Sequence, residues 1–398
     1  MKRLTRLWGL LLALPLMMSG CDWLDNPVIP NLRVTKAALT LKVGETASCR
    51  ATAQRHVALS YASANPAVAT VDAAGMITAV SVGTTQITVK AEGEDDYYRT
   101  EIFGQTSTTI DVTVVPNPTN LASLTGDYTA HDGEVLTGTL TGSYKVSIAD
   151  GATVELYNVT INGGDDAATQ WAGITCLGDA TITITGTNTV KGFYEEYPAI
   201  QPGPAGTTFT VNGTGSLTAT GGRYTAGIGS VKYASCGDIT INGGTINASS
   251  SSMGAGIGSG YHSSCGNITI NGGTIIASSK EGAGIGSGYA YASCGAININ
   301  GGAVTAGSIG GAGIGSGNGS MFTSITISAG ITQVQATRNE ESAWPIGKGQ
   351  ADTGSGAVTI DGATVTSRDW DGSGMTGLNF ASSSTGGFNK TWTLTPAP

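Results

Sequence analysis

The sequence predicts an all-β chain in two parts. A small β-sandwich comes first, then a right-handed parallel β-helix with about 28–29 residues per coil. Three observations carry this. Residues 34–115 read as short alternating runs of apolar and polar residues separated by turns. A repeat of nearly constant length runs through the second half, and none of its segments has a helical 3.6-residue period. The composition is rich in glycine, 61 of 398 residues, and only 12 % of residues are charged. At 40 % hydrophobic residues the chain carries too much apolar character for a disordered linker. A net charge of −9 argues against nucleic acid and anionic headgroups as partners.

The chain opens "MKRLTRLWGLLLALPLMMSGC". Lys2, Arg3 and Arg6 precede a short apolar run over residues 7–18, too short to span a bilayer. Small residues then lead into Cys21. The segment resembles a bacterial lipoprotein signal, which implies a signal peptide over 1–20 and lipid attachment at the Cys21 thiol. The expected location is then the bacterial cell envelope at the outer membrane or cell surface, with lipid as the only membrane contact. Residues 21–33 read as a Pro/Asn-containing tether.

Residues 34–116 form the first module. "ALTLKVGETASCRATA" alternates and breaks at Val43-Gly44-Glu45; a second turn falls at Ala73-Ala74-Gly75. Several short strands in about 80 residues predict a β-sandwich. The stretches "LKVGET" and "SANPAVATVDAAGMITAVSVGTTQITV" resemble a group-2 bacterial immunoglobulin-like domain. That resemblance implies an Ig-like spacer or adhesion module without a catalytic site. Cys49 lies in an alternating strand and reads as a small buried hydrophobe.

"VPNPTN" at 115–120 is a linker, and residues 117–398 form the second module. A glycine run recurs around Ile228, Ile257, Ile285 and Ile314, at intervals of 29, 28 and 29 residues. Weaker copies centre on Ile174, Ile200 and Ile346. The first three strong copies continue into "SCGDITINGGTINAS", "SCGNITINGGTIIAS" and "SCGAININGGAVTAG". Three short β runs per coil, stacked coil on coil, place Ile239, Ile268 and Ile297 in one inward ladder. Ile241, Ile270 and Ile299 form another. Eight or nine coils are expected, with an aromatic cap from Trp370, Phe380, Phe388 and Trp392.

The glycine runs are not phosphate loops. No helix follows them, and no Gly-Lys-Ser/Thr accompanies them. Calcium nonapeptides need an aspartate where Ser259 and Tyr261 stand. The runs read as tight coil corners around a buried isoleucine. Asn242, Asn271 and Asn300 are 29 residues apart and read as an amide ladder. Cys236, Cys265 and Cys294 share that spacing and read as an inward column of thiols. Neighbouring rungs are close enough for a disulfide, but three in a row leave one unpaired. No metal site is expected and no cofactor.

Charge is scarce where a catalytic face would lie. Between residues 201 and 320 the charged residues are Arg223, Lys232, Asp238, Lys280 and Glu281, with His262 beside them. Asp165-Asp166, Glu195-Glu196 and Asp369/Asp371 are acidic pairs that do not align on one coil face. A tyrosine follows each of the first three strong glycine runs: Tyr233, Tyr261, and Tyr289 with Tyr291. A row of rings along one edge suits sugar faces. Lys232, His262 and Asn318 add polar contacts there; packing over the coil edge is the alternative. Thr240 and Thr269 also suggest a flat threonine face.

"IADGATVELYNVTINGG" at 148–164 and the later "ITING" runs resemble carbohydrate-binding β-helix proteins of bacterial surfaces, which have pectate-lyase-like folds without a lyase site. The resemblance covers about 120–398. It implies binding of plant-type or acidic polysaccharide, in some members with calcium, for which the central coils lack an acidic cluster; the expected partner is a polysaccharide or glycan. The expected function is therefore a non-catalytic surface lipoprotein that binds carbohydrate or mediates adhesion to a host or partner-cell surface. Two alternatives stand beside it. One is a polysaccharide lyase or glycosidase with a site in the irregular coils at 150–200 or 340–372. The other is a protein-binding structural adhesin.

Overall fold

The computed structural model describes residues 32–53, 57–93, 106–164, 166–385 and 388–398. The signal segment, Cys21, most of the tether and Asp165 lie outside the described residues. The chain divides into two compact units at the Val115/Pro116 bond.

In the first unit a four-stranded sheet runs in the order Ala38–Lys42, Thr106–Val115, Gly83–Gly93, Val57–Ser63. The first pair is parallel and the others antiparallel. A three-stranded antiparallel sheet has the order Thr46–Ser48, Met76–Ala79, Ala69–Val71. Alternation gives each strand one apolar face, and these faces meet in one core. Leu41, Ile87, Val89, Ile110, Val112 and Val114 come from the larger sheet; Ala69, Ile77 and Ala79 come from the smaller. The turn "VDAAGM" is set by Asp72, whose Oδ1 accepts the N–H groups of Ala74 (2.9 Å) and Met76 (2.8 Å). Cys49 is buried and free.

The second unit is a β-solenoid. Val146, Ile174, Ile200, Ile228, Ile257, Ile285, Ile314 and Ile346 lie in register on parallel strands of a nine-stranded sheet. They mark about seven full turns. The coil count is therefore lower than the sequence suggests, because the last residues leave the spiral. Lys390–Pro396 pairs antiparallel with Ile331–Arg338 and with Leu378–Ser384. That hairpin brings Trp392 over the end of the core, fully buried, with Trp370 and Phe380 packed on it at 6.0 and 5.5 Å. Phe388 is 55 % exposed and takes no part in this cap.

Inside, the ladders are continuous. Phe209, Ile239, Ile268, Ile297, Ile325 and Val358 are in-register neighbours. Val211, Ile241, Ile270, Ile299, Ile327 and Ile360 form the next column. All twelve side chains are buried. Each isoleucine contributes roughly 1.5–3 kcal/mol by leaving water. The amide ladder forms as well. Asn242 donates to Asn212 (2.9 Å), Asn271 to Asn242 (2.8 Å) and Asn300 to Asn271 (2.9 Å).

The glycine runs have a specific cause. Gly258 has φ +134°, and a Cβ there would fall 1.9 Å from the carbonyl oxygen of Gly286 on the next turn. Only glycine allows that approach. The serine after it is equally constrained. Ser230, Ser259, Ser287 and Ser316 are all buried. Each hydroxyl accepts the N–H of a glycine one turn on: Gly260 (2.9 Å), Gly288 (3.0 Å), Gly317 (3.2 Å) and Gly349 (2.8 Å). The run is thus a structural corner in which an isoleucine fills the core and a serine satisfies the neighbouring backbone.

Candidate functional site

The loops between the glycine runs and the cysteines stack on one edge of the solenoid. Their backbones are tied turn to turn. Tyr233 N–H donates to Tyr261 O (3.1 Å), His262 N–H to Tyr289 O (3.3 Å) and Tyr291 N–H to Gly319 O (2.7 Å). These rungs carry the predicted aromatic residues, but not as one row. They fall into two columns.

The outer column is Tyr233, His262 and Tyr291, each three residues before a repeat cysteine. All three adopt left-handed backbone, with φ of 60°, 49° and 52°. That conformation is uncommon for residues other than glycine. Tyr233 is 66 % exposed and Tyr291 78 %. The His262 ring bridges them, with centroids 5.7 Å from Tyr233 and 5.5 Å from Tyr291. The planes are tilted by 46° and 39°, so the column is a stepped surface rather than a flat one.

The inner column is Lys232, Tyr261 and Tyr289, counted forward from the repeat isoleucines. These side chains are half-buried. Tyr261 and Tyr289 stack at 5.9 Å with planes 25° apart, and Tyr261 meets His262 edge-on at 4.3 Å. Tyr261 and Tyr289 therefore pack over the coil edge and support the outer rings.

Lys232 is not a free polar contact. It forms a salt bridge with Glu196, and that hydrogen bond raises its pKa above the usual lysine range. Its ammonium lies 4.5 Å from the Tyr224 ring centroid and 5.1 Å from that of Tyr233. Each such contact is worth about 0.5–1 kcal/mol at an exposed site. Tyr224, which sequence reasoning missed, completes the cluster at 5.7 Å from Tyr261. Its signal was available: Tyr224 precedes a glycine run where the others follow one. Asn318 continues the inner edge and donates to Gln350 (3.0 Å).

The acidic pair near the C-terminus has structural partners. Asp369 pairs with Lys390 at 2.6 Å, and Asp371 accepts the Ser373 N–H at 3.0 Å. Among the described residues no group of three or more His, Cys, Asp or Glu is arranged to hold a metal ion. Cys236, Cys265 and Cys294 are buried, free and in register. Burial pushes the Cys176 thiol, one of the same interior set, up to about 12.

Comparison with protein families bears on both units. Residues 28–100 match the bacterial Ig-like domain (group 2). Residues 209–230, 239–261, 268–289 and 297–318 match the β-helix repeat. No curated protein matches the chain. The chain thus carries a bacterial Ig-like domain and a set of β-helix repeats, a combination that fits a surface or adhesin-like protein. β-Helix folds occur in enzymes such as pectate lyase and in non-enzymes alike.

Proposed function

We propose that the solenoid is a non-catalytic glycan-binding module on a lipid-anchored protein of the bacterial cell surface, with the outer aromatic column as its platform. The observation that carries this reading is the Tyr233–His262–Tyr291 column. It holds two strongly exposed tyrosines, with centroid steps of 5.7 and 5.5 Å on a rigid backbone ladder. That step is close to the length of one pyranose residue in an extended chain, so successive sugars meet successive rings. Sugar rings place their C–H faces on aromatic faces, and the phenol hydroxyls and the imidazole supply hydrogen bonds at the rim.

The charge distribution supports binding rather than bond cleavage. Most glycoside hydrolysis uses two carboxylates flanking the scissile bond. Three of the carboxylates near the platform or in the irregular coils are engaged: Glu196 by Lys232, Asp369 by Lys390 and Asp352 by Ser316 and Ser355. The anchor at Cys21 belongs to the same proposal and rests on the leader sequence alone.

The test is binding of the full chain to a panel of immobilised polysaccharides, repeated with Tyr233→Ala and Tyr291→Ala. Saturable binding that both substitutions weaken supports the platform. Release of oligosaccharide would point to a lyase or glycosidase. Binding that survives removal of glycans from the target would point to a protein ligand.

A further inference from the structure

We propose that Cys265 and Cys294 are a thiol pair built to form a disulfide across two successive turns of the solenoid. Three observations converge on this pair, and two of them set it apart from its neighbour.

The two cysteines are in-register partners on adjacent parallel strands. Strands lie about 4.8 Å apart, inside the ~4.4–6.8 Å that a disulfide spans between Cα atoms. Their sulfurs are already in contact, with the Cys265 thiol donating to Cys294 Sγ at 3.2 Å. Closing to a bond of about 2.05 Å brings the sulfurs together by roughly 1 Å.

Cys236 has the same register relation to Cys265 but a different environment. The sulfur–sulfur contact of 3.2 Å is the one that Cys265 makes with Cys294. The geometry therefore distinguishes one pair within the three-residue column.

Access is the third observation. An open cleft of about 510 Å³ is lined by Cys265, Cys294, Ser293, Met321 and Phe322. Cys236 does not line it. The two residues are only 6 % and 3 % exposed, and the cleft they line is the side from which a small reagent would approach them.

The reaction is exchange with a low-molecular-weight disulfide. The thiolate of one cysteine attacks a sulfur of the reagent, forming a mixed disulfide and expelling one small thiolate. The second cysteine's thiolate then attacks the protein sulfur, forming the Cys265–Cys294 bond and expelling the other. Two protein thiols are oxidised and the reagent is reduced to two thiols. The product ties neighbouring turns together.

The hydrogen bond with Cys294 and burial both keep the Cys265 thiol protonated at neutral pH, so exchange speeds up as pH rises.

The experiment treats the folded full chain with oxidised glutathione, blocks free thiols, digests without reduction and maps cross-linked peptides by mass spectrometry. The expected product is one linkage, Cys265–Cys294, with two hydrogens lost and no retained glutathione. Cys236→Ser leaves it unchanged, and Cys294→Ser abolishes it. The oxidised protein unfolds at higher denaturant concentration than the reduced form, and dithiothreitol reverses the shift. A Cys236–Cys265 linkage, stable glutathione adducts or unreacted thiols in the folded wild type would each overturn the proposal. The wild-type linkage map is informative even if a variant fails to fold. Its outcome is independent of whether the aromatic column binds glycans.

Discussion

The rings of Tyr233 and His262 stand 5.7 Å apart although 29 residues separate them in the chain. One turn of solenoid converts that sequence distance into ring contact, and Tyr291 extends the contact by a further turn at 5.5 Å from His262. The candidate site is therefore a product of stacking. Anything that disturbs the corner geometry beneath it should disturb the site as well.

Gly258→Ala is expected to be among the most destabilising single substitutions in the solenoid. The new Cβ would meet the Gly286 carbonyl at 1.9 Å in a backbone with φ +134°. A loss of about 3 kcal/mol is expected. Gly206→Ala is the control: φ is +92° but nothing lies within 4 Å. It should cost only about 1 kcal/mol. Urea midpoints of the two variants check the contrast; equal losses would sink the explanation by contact with the next turn.

Ser259→Ala should cost about 1–3 kcal/mol although it removes a single oxygen. The buried Gly288 N–H, which now donates to Ser259 Oγ at 3.0 Å, would lose its acceptor. Chemical denaturation measures the loss. Faster amide hydrogen exchange at Gly288 than in the wild type would locate it, and unchanged exchange would contradict it.

Acid stability should depend on Asp361. The N–H groups of Gly377 and Thr376 donate to its carboxylate and hold its pKa below the usual carboxylate range. A depressed folded value means that folding favours the ionised form. That stabilisation is fully present above the unfolded-state pKa, about 3.9, and is lost as pH falls through the lower folded value. Urea midpoints taken between about pH 5 and pH 3 should therefore fall more steeply for the wild type than for Asp361→Asn. Parallel curves would remove Asp361 from the account.

Lys232→Met should weaken glycan binding less than Tyr233→Ala does. Lys232 acts through the rings of Tyr224 and Tyr233 and through its pairing with Glu196. A loss of roughly threefold is expected, comparable to one exposed cation–π contact of about 0.5–1 kcal/mol. Comparing the dissociation constants at low and high salt checks the role. A loss larger than that of Tyr233→Ala would make Lys232 a direct ligand contact instead.

Much of the fold was legible because the repeat length is nearly constant. Ile228, Ile257, Ile285 and Ile314 mark successive turns, and Asn242, Asn271 and Asn300 hydrogen-bond as their spacing implied. The arrangement of the tyrosines was harder to read for a local reason. Ile228 to Cys236 and Ile257 to Cys265 span eight residues, but Ile285 to Cys294 spans nine. Counting from the isoleucine aligns Tyr289 with Tyr261, whereas counting from the cysteine aligns Tyr291 with His262. The structure honours both counts. Ala290, with φ 57°, takes up the extra residue, and the tyrosines separate into two columns. The Glu196–Lys232 bridge was hidden because 36 residues is no multiple of the repeat. The C-terminal hairpin was hidden because the repeat stops after the rung of Val358 and Ile360, although Trp370, Phe380 and Trp392 announced an apolar end.

The central claim is that sugars bind across the exposed column. Its most direct test is calorimetric titration of the full chain with a polysaccharide selected from the panel, comparing wild type with the Tyr233→Ala/Tyr291→Ala double variant. Both side chains are largely in solvent, so the variant should unfold at nearly the wild-type denaturant midpoint. Loss of each ring should weaken binding about tenfold, close to 1.4 kcal/mol per ring. A double variant that folds normally and binds as tightly as the wild type would contradict the platform.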